Sequence, residues 1–132
     1  MLGFNRSSMD VPDRIKNISN MRSVQTALLS HHFHNNEQYP NSLQELVPEE
    51  LDDEVKWLDK KHFELIGVDL HYVPNLNTKD GEKIILYTTA DKNGKAIVGY
   101  VDCRVMTINP EELNHLLIKL GLSPIEIIAK TP

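Results

Sequence analysis

Lys83-Ile84-Ile85-Leu86-Tyr87-Thr88-Thr89 and Ala96-Ile97-Val98-Gly99-Tyr100-Val101 flank a loop containing Asn93-Gly94. Both runs are rich in β-branched and aromatic residues, and Asn-Gly supplies positive φ cheaply, so the pair is predicted to form an antiparallel hairpin. Residues 104–108 continue it as a third strand. Asp102-Cys103 then falls in a two-residue turn, which demands positive φ at both positions. Upstream, residues 63–66 and 70–73 read as two shorter strands about a bend at Gly67.

Helices flank this meander. Val11, Ile15, Ile18, Met21, Val24 and Leu28 recur at intervals of three and four, the period of an amphipathic helix. Asp10 is placed to cap it, Pro12 suits its first turn, and Asn35-Asn36 ends it after His34. Such a helix has about 25 residues and a length of roughly 37 Å at 1.5 Å per residue. That exceeds what a small sheet covers. Its first two or three turns are expected to project, leaving Val11, Ile15 and Ile18 as an exposed apolar stripe. Tyr39-Pro40 forces an extended segment. Ser42-Leu43-Gln44-Glu45 has the spacing of a capping box, opening a short helix that turns Leu43, Leu46 and Val47 inward and stops at Pro48. An acidic connector follows at residues 49–53. Asn109-Pro110-Glu111-Glu112 opens a last helix carrying Leu113, Leu116, Leu117 and Leu120, which Gly121 stops. The fold class expected is α+β: a long N-terminal helix packed on a small antiparallel sheet, with a short C-terminal helix. A single domain spans 1–132, with residues 1–10 frayed and residues 122–132 a tail.

Composition narrows the function. The 132 residues include 14 Lys and Arg against 19 Asp and Glu, a net charge of −5. No basic surplus exists to displace counterions from a phosphate backbone, so nucleic acid is not an expected partner. The single cysteine, Cys103, precludes an internal disulfide and a thiolate-rich metal site. No apolar run of about 18 residues is present, so no membrane segment is expected and the chain reads as soluble. Nucleophile elbow, Walker loop, dinucleotide fingerprint and Ser-His-Asp order are all missing from the sequence.

Four features invite chemistry and each has a plainer reading. His31 and His34 lie one helical turn apart and could chelate a divalent metal, with Glu37 or a distant carboxylate as third ligand. Histidines at a helix C-terminus also suit the helix dipole without any metal. Asp91-Lys92-Asn93-Gly94 resembles the start of a calcium loop through Asp91 and Asn93, but it lacks the remaining oxygens and the terminal Glu; a turn suffices. Cys103 could serve as a nucleophile beside a histidine, or sit incidentally in its turn. The carboxylates of residues 49–54 read as solvated surface.

Three segments together carry a family resemblance. Ser19-Asn20-Met21-Arg22 with Ala27-Leu28, then Tyr39, Pro40, Ser42, Leu43, Leu46, Pro48 and Leu51, then Val98-Gly99-Tyr100-Val101-Asp102-Cys103-Arg104-Val105 resemble the pilin-like headpiece of the type II secretion pseudopilins, in their planctomycete-type version. Cys103 stands where that family has glycine, and Arg104 where it has histidine. The resemblance covers about residues 15–117. It implies a non-catalytic structural or assembly domain on the cell-envelope or periplasmic side, anchored by an upstream helix. Such a domain self-associates, or joins related pilin-like subunits, through the N-terminal helix, with Val11, Ile15 and Ile18 as the seam. It needs no cofactor, although some relatives hold calcium in a loop at the sheet edge. A free-standing interaction or sensory module on the same fold is the alternative, and a His-dependent metalloenzyme a third reading.

Overall fold

The computed structural model describes residues 10–47, 49–51, 56–57, 62–76 and 78–127. Six strands run in chain order across one antiparallel sheet: β1 (Lys56–Trp57), β2 (His62–Leu65), β3 (Val68–Tyr72), β4 (Ile84–Thr88), β5 (Ala96–Tyr100) and β6 (Val105–Ile108). Among the described residues the α-helices are α1 (Asp10–His34) and α2 (Pro110–Lys119). The α+β arrangement expected from the sequence is the one observed. The two-residue β1 was not foreseen, because it has no alternating run of its own. It pairs Lys56 with Glu64 and Trp57 with Phe63.

Successive strand residues point to opposite faces, and here both faces are covered. On one face Met21, Val24, Ala27 and Leu28 of α1 pack on Phe63, Leu70, Ile85, Leu86 and Ile97. On the other, Leu113 and Leu117 of α2 pack on Val73, Ile84, Tyr87, Ala96 and Val98. This explains why β4 is buried along its whole length and reads as an unbroken apolar run. A register shift between Ile84 and Leu86 lets Ile85 and Leu86 both serve the α1 side. At Gly99 helix and sheet approach closely: a Cβ there would lie 2.7 Å from Gln25 Nε2 and 3.1 Å from Met21 Sδ.

Three side chains of α1 bond to the turns of the sheet. Asn17 donates from Nδ2 to the Ile66 carbonyl and accepts from the Ile66 N–H, both at 3.0 Å. Gln25 Nε2 donates to the carbonyls of Tyr100 (3.1 Å) and Arg104 (3.2 Å). Arg14 pairs with Asp91 at 3.1 Å. The expected projection of two or three turns is therefore corrected: from Arg14 onward α1 is tied down, because the β2–β3 and β4–β5 turns reach up to it. Ile18 is partly buried against the core, whereas Ile15 is 60% exposed. The side chain of Val11 lies outside the described residues. Asp10, expected as a cap, is already the first residue of α1.

Local corrections follow the same logic. Residues Leu43–Leu46 form a 3-10 turn, with Leu43 and Leu46 fully buried as expected. Ser42 makes no capping hydrogen bond; Glu45 Oε2 instead accepts from the Asn41 N–H at 3.1 Å. Asn109 likewise gives no cap to α2, its Oδ1 being taken by Lys95 Nζ at 2.7 Å. The β5–β6 turn has three residues rather than two. Cys103 N–H bonds to Tyr100 O and Tyr100 N–H to Arg104 O, both at 2.9 Å, and only Cys103 has positive φ (+74°). This is a type I turn closed by a left-handed residue, so Asp102 keeps ordinary backbone angles. Part of the presumed tail is fixed, since Asn114 exchanges two hydrogen bonds with the backbone of Ile125. Pro48 and the acidic residues 52–54 lie outside the described residues.

Candidate functional site

The histidines at the end of α1 diverge. His31 faces the 3-10 turn and the segment after it, with Nδ1 3.4 Å from Glu50 Oε1 and Nε2 4.0 Å from Glu45 Oε1. His32 is 4% exposed, its ring tilted on Tyr39 with centroids 4.8 Å apart, and its Nδ1 is buried without a hydrogen-bond partner. His34 points to solvent. The two carboxylates near His31 approach opposite ring nitrogens, so one ion could not use the ring and both of them together. Among the described residues no group of three His, Cys, Asp or Glu side chains converges as a metal site. His31 and His34 belong to no such group.

The turn carrying Asp91 and Asn93 is a second copy of the three-residue design. Gly94 takes positive φ (+75°), and Asp91 N–H bonds to Lys95 O at 2.7 Å. Asp91 Oδ1 accepts from the backbone N–H groups of Asn93 (2.9 Å) and Lys95 (3.0 Å), while Oδ2 faces the Arg14 guanidinium. This carboxylate is committed to stapling the turn to α1. A cation placed there would compete with an arginine already in position. Beside it lies a small cavity of about 140 Å³ lined by Asp13, Arg14, Asn17, Ile66, Gly67 and Lys92 as well as Asp91.

The β5–β6 turn presents a different surface. Cys103 is a free, exposed thiol. Beside it Arg104 Nε is gripped by both carboxylate oxygens of Asp102, at 3.1 and 2.9 Å. This pair holds the Asp102 carboxyl below its ordinary value and the Arg104 guanidinium above its own. The guanidinium lies over the Tyr100 ring, 4.5 Å from its centroid. Among the tyrosines, burial chiefly raises the phenols of Tyr39, Tyr72 and Tyr87, and Tyr72 donates to the Pro40 carbonyl at 2.6 Å.

The outward face of α1 is the remaining candidate. Residues 14–34 contain Arg14, Lys16 and Arg22 but no carboxylate, in a chain with 19 of them. Ile15 and Phe33, 60% and 69% exposed, are 18 residues apart. At 3.6 residues per turn that is five whole turns, so both lie on one line of the helix, about 27 Å apart. Protein-family models, curated proteins and solved structures yield no match to this chain. Its function therefore rests on its own surfaces. Among the described residues, no helix is long and apolar enough to cross a membrane.

Phe33 was missed in the sequence because it breaks no periodic pattern and sits within a histidine cluster. Asn17 and Gln25 were missed because a polar residue on a helix reads as solvent-facing by default. Their signal was available only in position: each falls on the apolar face, one turn or so from Met21.

Proposed function

We propose that this chain is a non-catalytic assembly domain of pilin-like type, which joins copies of itself or related subunits through the outward face of α1. The observation that supports this reading is the placement of Ile15 and Phe33 on one line of a helix face free of acidic residues. Single exposed apolar residues are ordinary on protein surfaces. Two of them, large, far apart and in line on a rigid helix, suit a partner lying alongside. Lys16 and Arg22 on this helix meet no like-signed opposition from a partner whose surface is acidic, and most of this chain's surface charge is of that sign.

Ile18 is removed from the seam, because an acidic residue there would disturb the core that Ile18 packs against. The test is Ile15→Asp with Phe33→Asp, compared with the parent chain by sedimentation across a concentration series. Self-association of the parent that the double variant loses, with helical content unchanged, is the expected result. Equal association in both chains would sink the seam. A parent that stays monomeric throughout would favour a free-standing interaction module.

A further inference from the structure

The groove between the C-terminal half of α2 and the end of the sheet offers a second surface, independent of α1. It has a volume of about 380 Å³, within the usual range for small-molecule pockets. Ile84, Tyr100, Leu116 and Leu120 form its apolar lining, and Lys83, Arg104 and Lys119 stand around it against the single carboxylate of Glu82. The groove exists because α2 is only ten residues long and covers the sheet incompletely. Lys83 is engaged with Asp80 at 3.4 Å. Lys119 has no ion pair among the described residues. Arg104 is held by Asp102 through Nε alone, which fixes the plane of the guanidinium against Tyr100 and leaves the two terminal nitrogens for another acceptor.

An anion in this groove would also meet the end of α2, where carbonyls ordinarily present negative potential. Here the carbonyls of Leu116, Leu117 and Ile118 all receive backbone N–H groups from residues 120–122. The helix end is thus largely satisfied from within the chain.

We propose that this groove binds a small amphiphilic carboxylate, a medium-length alkyl chain lying on Ile84, Tyr100, Leu116 and Leu120 with its carboxylate between Arg104 and Lys119. An apolar floor alone would take any alkyl chain; the pre-oriented guanidinium and the unpaired lysine select the charged head. The proposal commits to the small acid over a peptide C-terminus, because a peptide would also bring backbone groups for which the groove's mostly apolar lining supplies few partners.

Octanoate, acetate and octan-1-ol are the probes, titrated into the full chain with backbone amide shifts as readout. Octanoate should shift the amides of Ile84, Tyr100, Leu116 and Leu120, and bind on the order of tenfold or more tighter than acetate, which has only the head, or octanol, which has only the tail. Arg104→Gln with Lys119→Gln, both at exposed positions, should bring octanoate down to the level of octanol while leaving the shifts of the core unchanged. Equal affinity for octanoate and octanol, undiminished binding in the double variant, or shifts confined to another surface would each overturn the proposal. So would tighter capture of a short peptide with an apolar C-terminal residue than of octanoate.

Discussion

Cys103 occupies a backbone position that glycine fills with less strain, as Gly94 does in the equivalent turn nine residues earlier. The left-handed conformation costs a residue with a Cβ roughly 1–2 kcal/mol, and removing the Cβ returns part of that as extra freedom of the unfolded chain. Cys103→Gly should therefore be neutral to stabilising, by up to about 1 kcal/mol. Chemical denaturation of the two chains decides it, and a clear loss of stability would show that the thiol contributes packing its exposed setting does not suggest. Tyr72 makes the opposite case. Its phenol is raised by burial, with smaller contributions from Glu45 and Tyr39, and it donates to Pro40. A folded-state value above the unfolded one means that the native chain keeps a proton the unfolded chain gives up. Stability from this group is whole below pH 10.0 and falls as pH rises beyond it. The fall has a limit of about 1.4 kcal/mol per pH unit per phenol. Tyr72→Phe should cost about 1–3 kcal/mol near neutrality, since Pro40 loses its donor, yet show a shallower decline above pH 10 in urea melts taken across that range. A slope identical to the parent's would remove Tyr72 from the alkaline transition.

Between elements, α1 is held by polar bonds near its N-terminal end and at its middle, within an otherwise apolar contact. Asn17 pairs with Ile66 as a neighbouring strand would; the Asn17 side chain is buried while Ile66 lies at the exposed turn. Asn17→Ala removes both bonds to the β2–β3 turn and should cost about 1–3 kcal/mol. The loss should appear first as faster amide exchange in the N-terminal half of α1, because Gln25 still holds its middle to Tyr100 and Arg104. Uniform acceleration over the whole helix would mean that α1 opens as one unit. The elements themselves were legible in the sequence where hydrophobic period was strong: α1, the β4–β5 hairpin and α2 all fall close to their expected places. What could not be read was how they meet. The Arg14–Asp91 and Gln25–Tyr100 contacts join residues more than 70 positions apart, and no local pattern marks such partners. The capping-box spacing at residues 42–45 misled, because burial of Leu43 and Leu46 set the backbone before the Ser42 hydroxyl could.

Across the molecule, histidines and acidic residues are numerous but dispersed, and among the described residues no three His, Cys, Asp or Glu side chains converge as a metal site. Titration with zinc or calcium should therefore reveal no one-to-one site tighter than about micromolar. A calorimetric isotherm showing such a site would return His31, His34, Asp91 and Asn93 to consideration. The candidate sites were less legible than the fold: Ile15 could be named from periodicity, while Phe33 and the groove beside α2 emerge only once the helices are docked. The strand order has one more consequence. Each strand pairs with the one made just before it, so the meander can zip up in the order of synthesis. The helix that comes first in the chain is anchored to Tyr100 and Arg104, 75 and 79 residues later. It is made before the sheet, yet its anchoring is complete only once those residues are in place. Until β5 and β6 are complete, Met21, Val24 and Leu28 have only part of their final cover, and this interval is when the chain most needs protection from its neighbours.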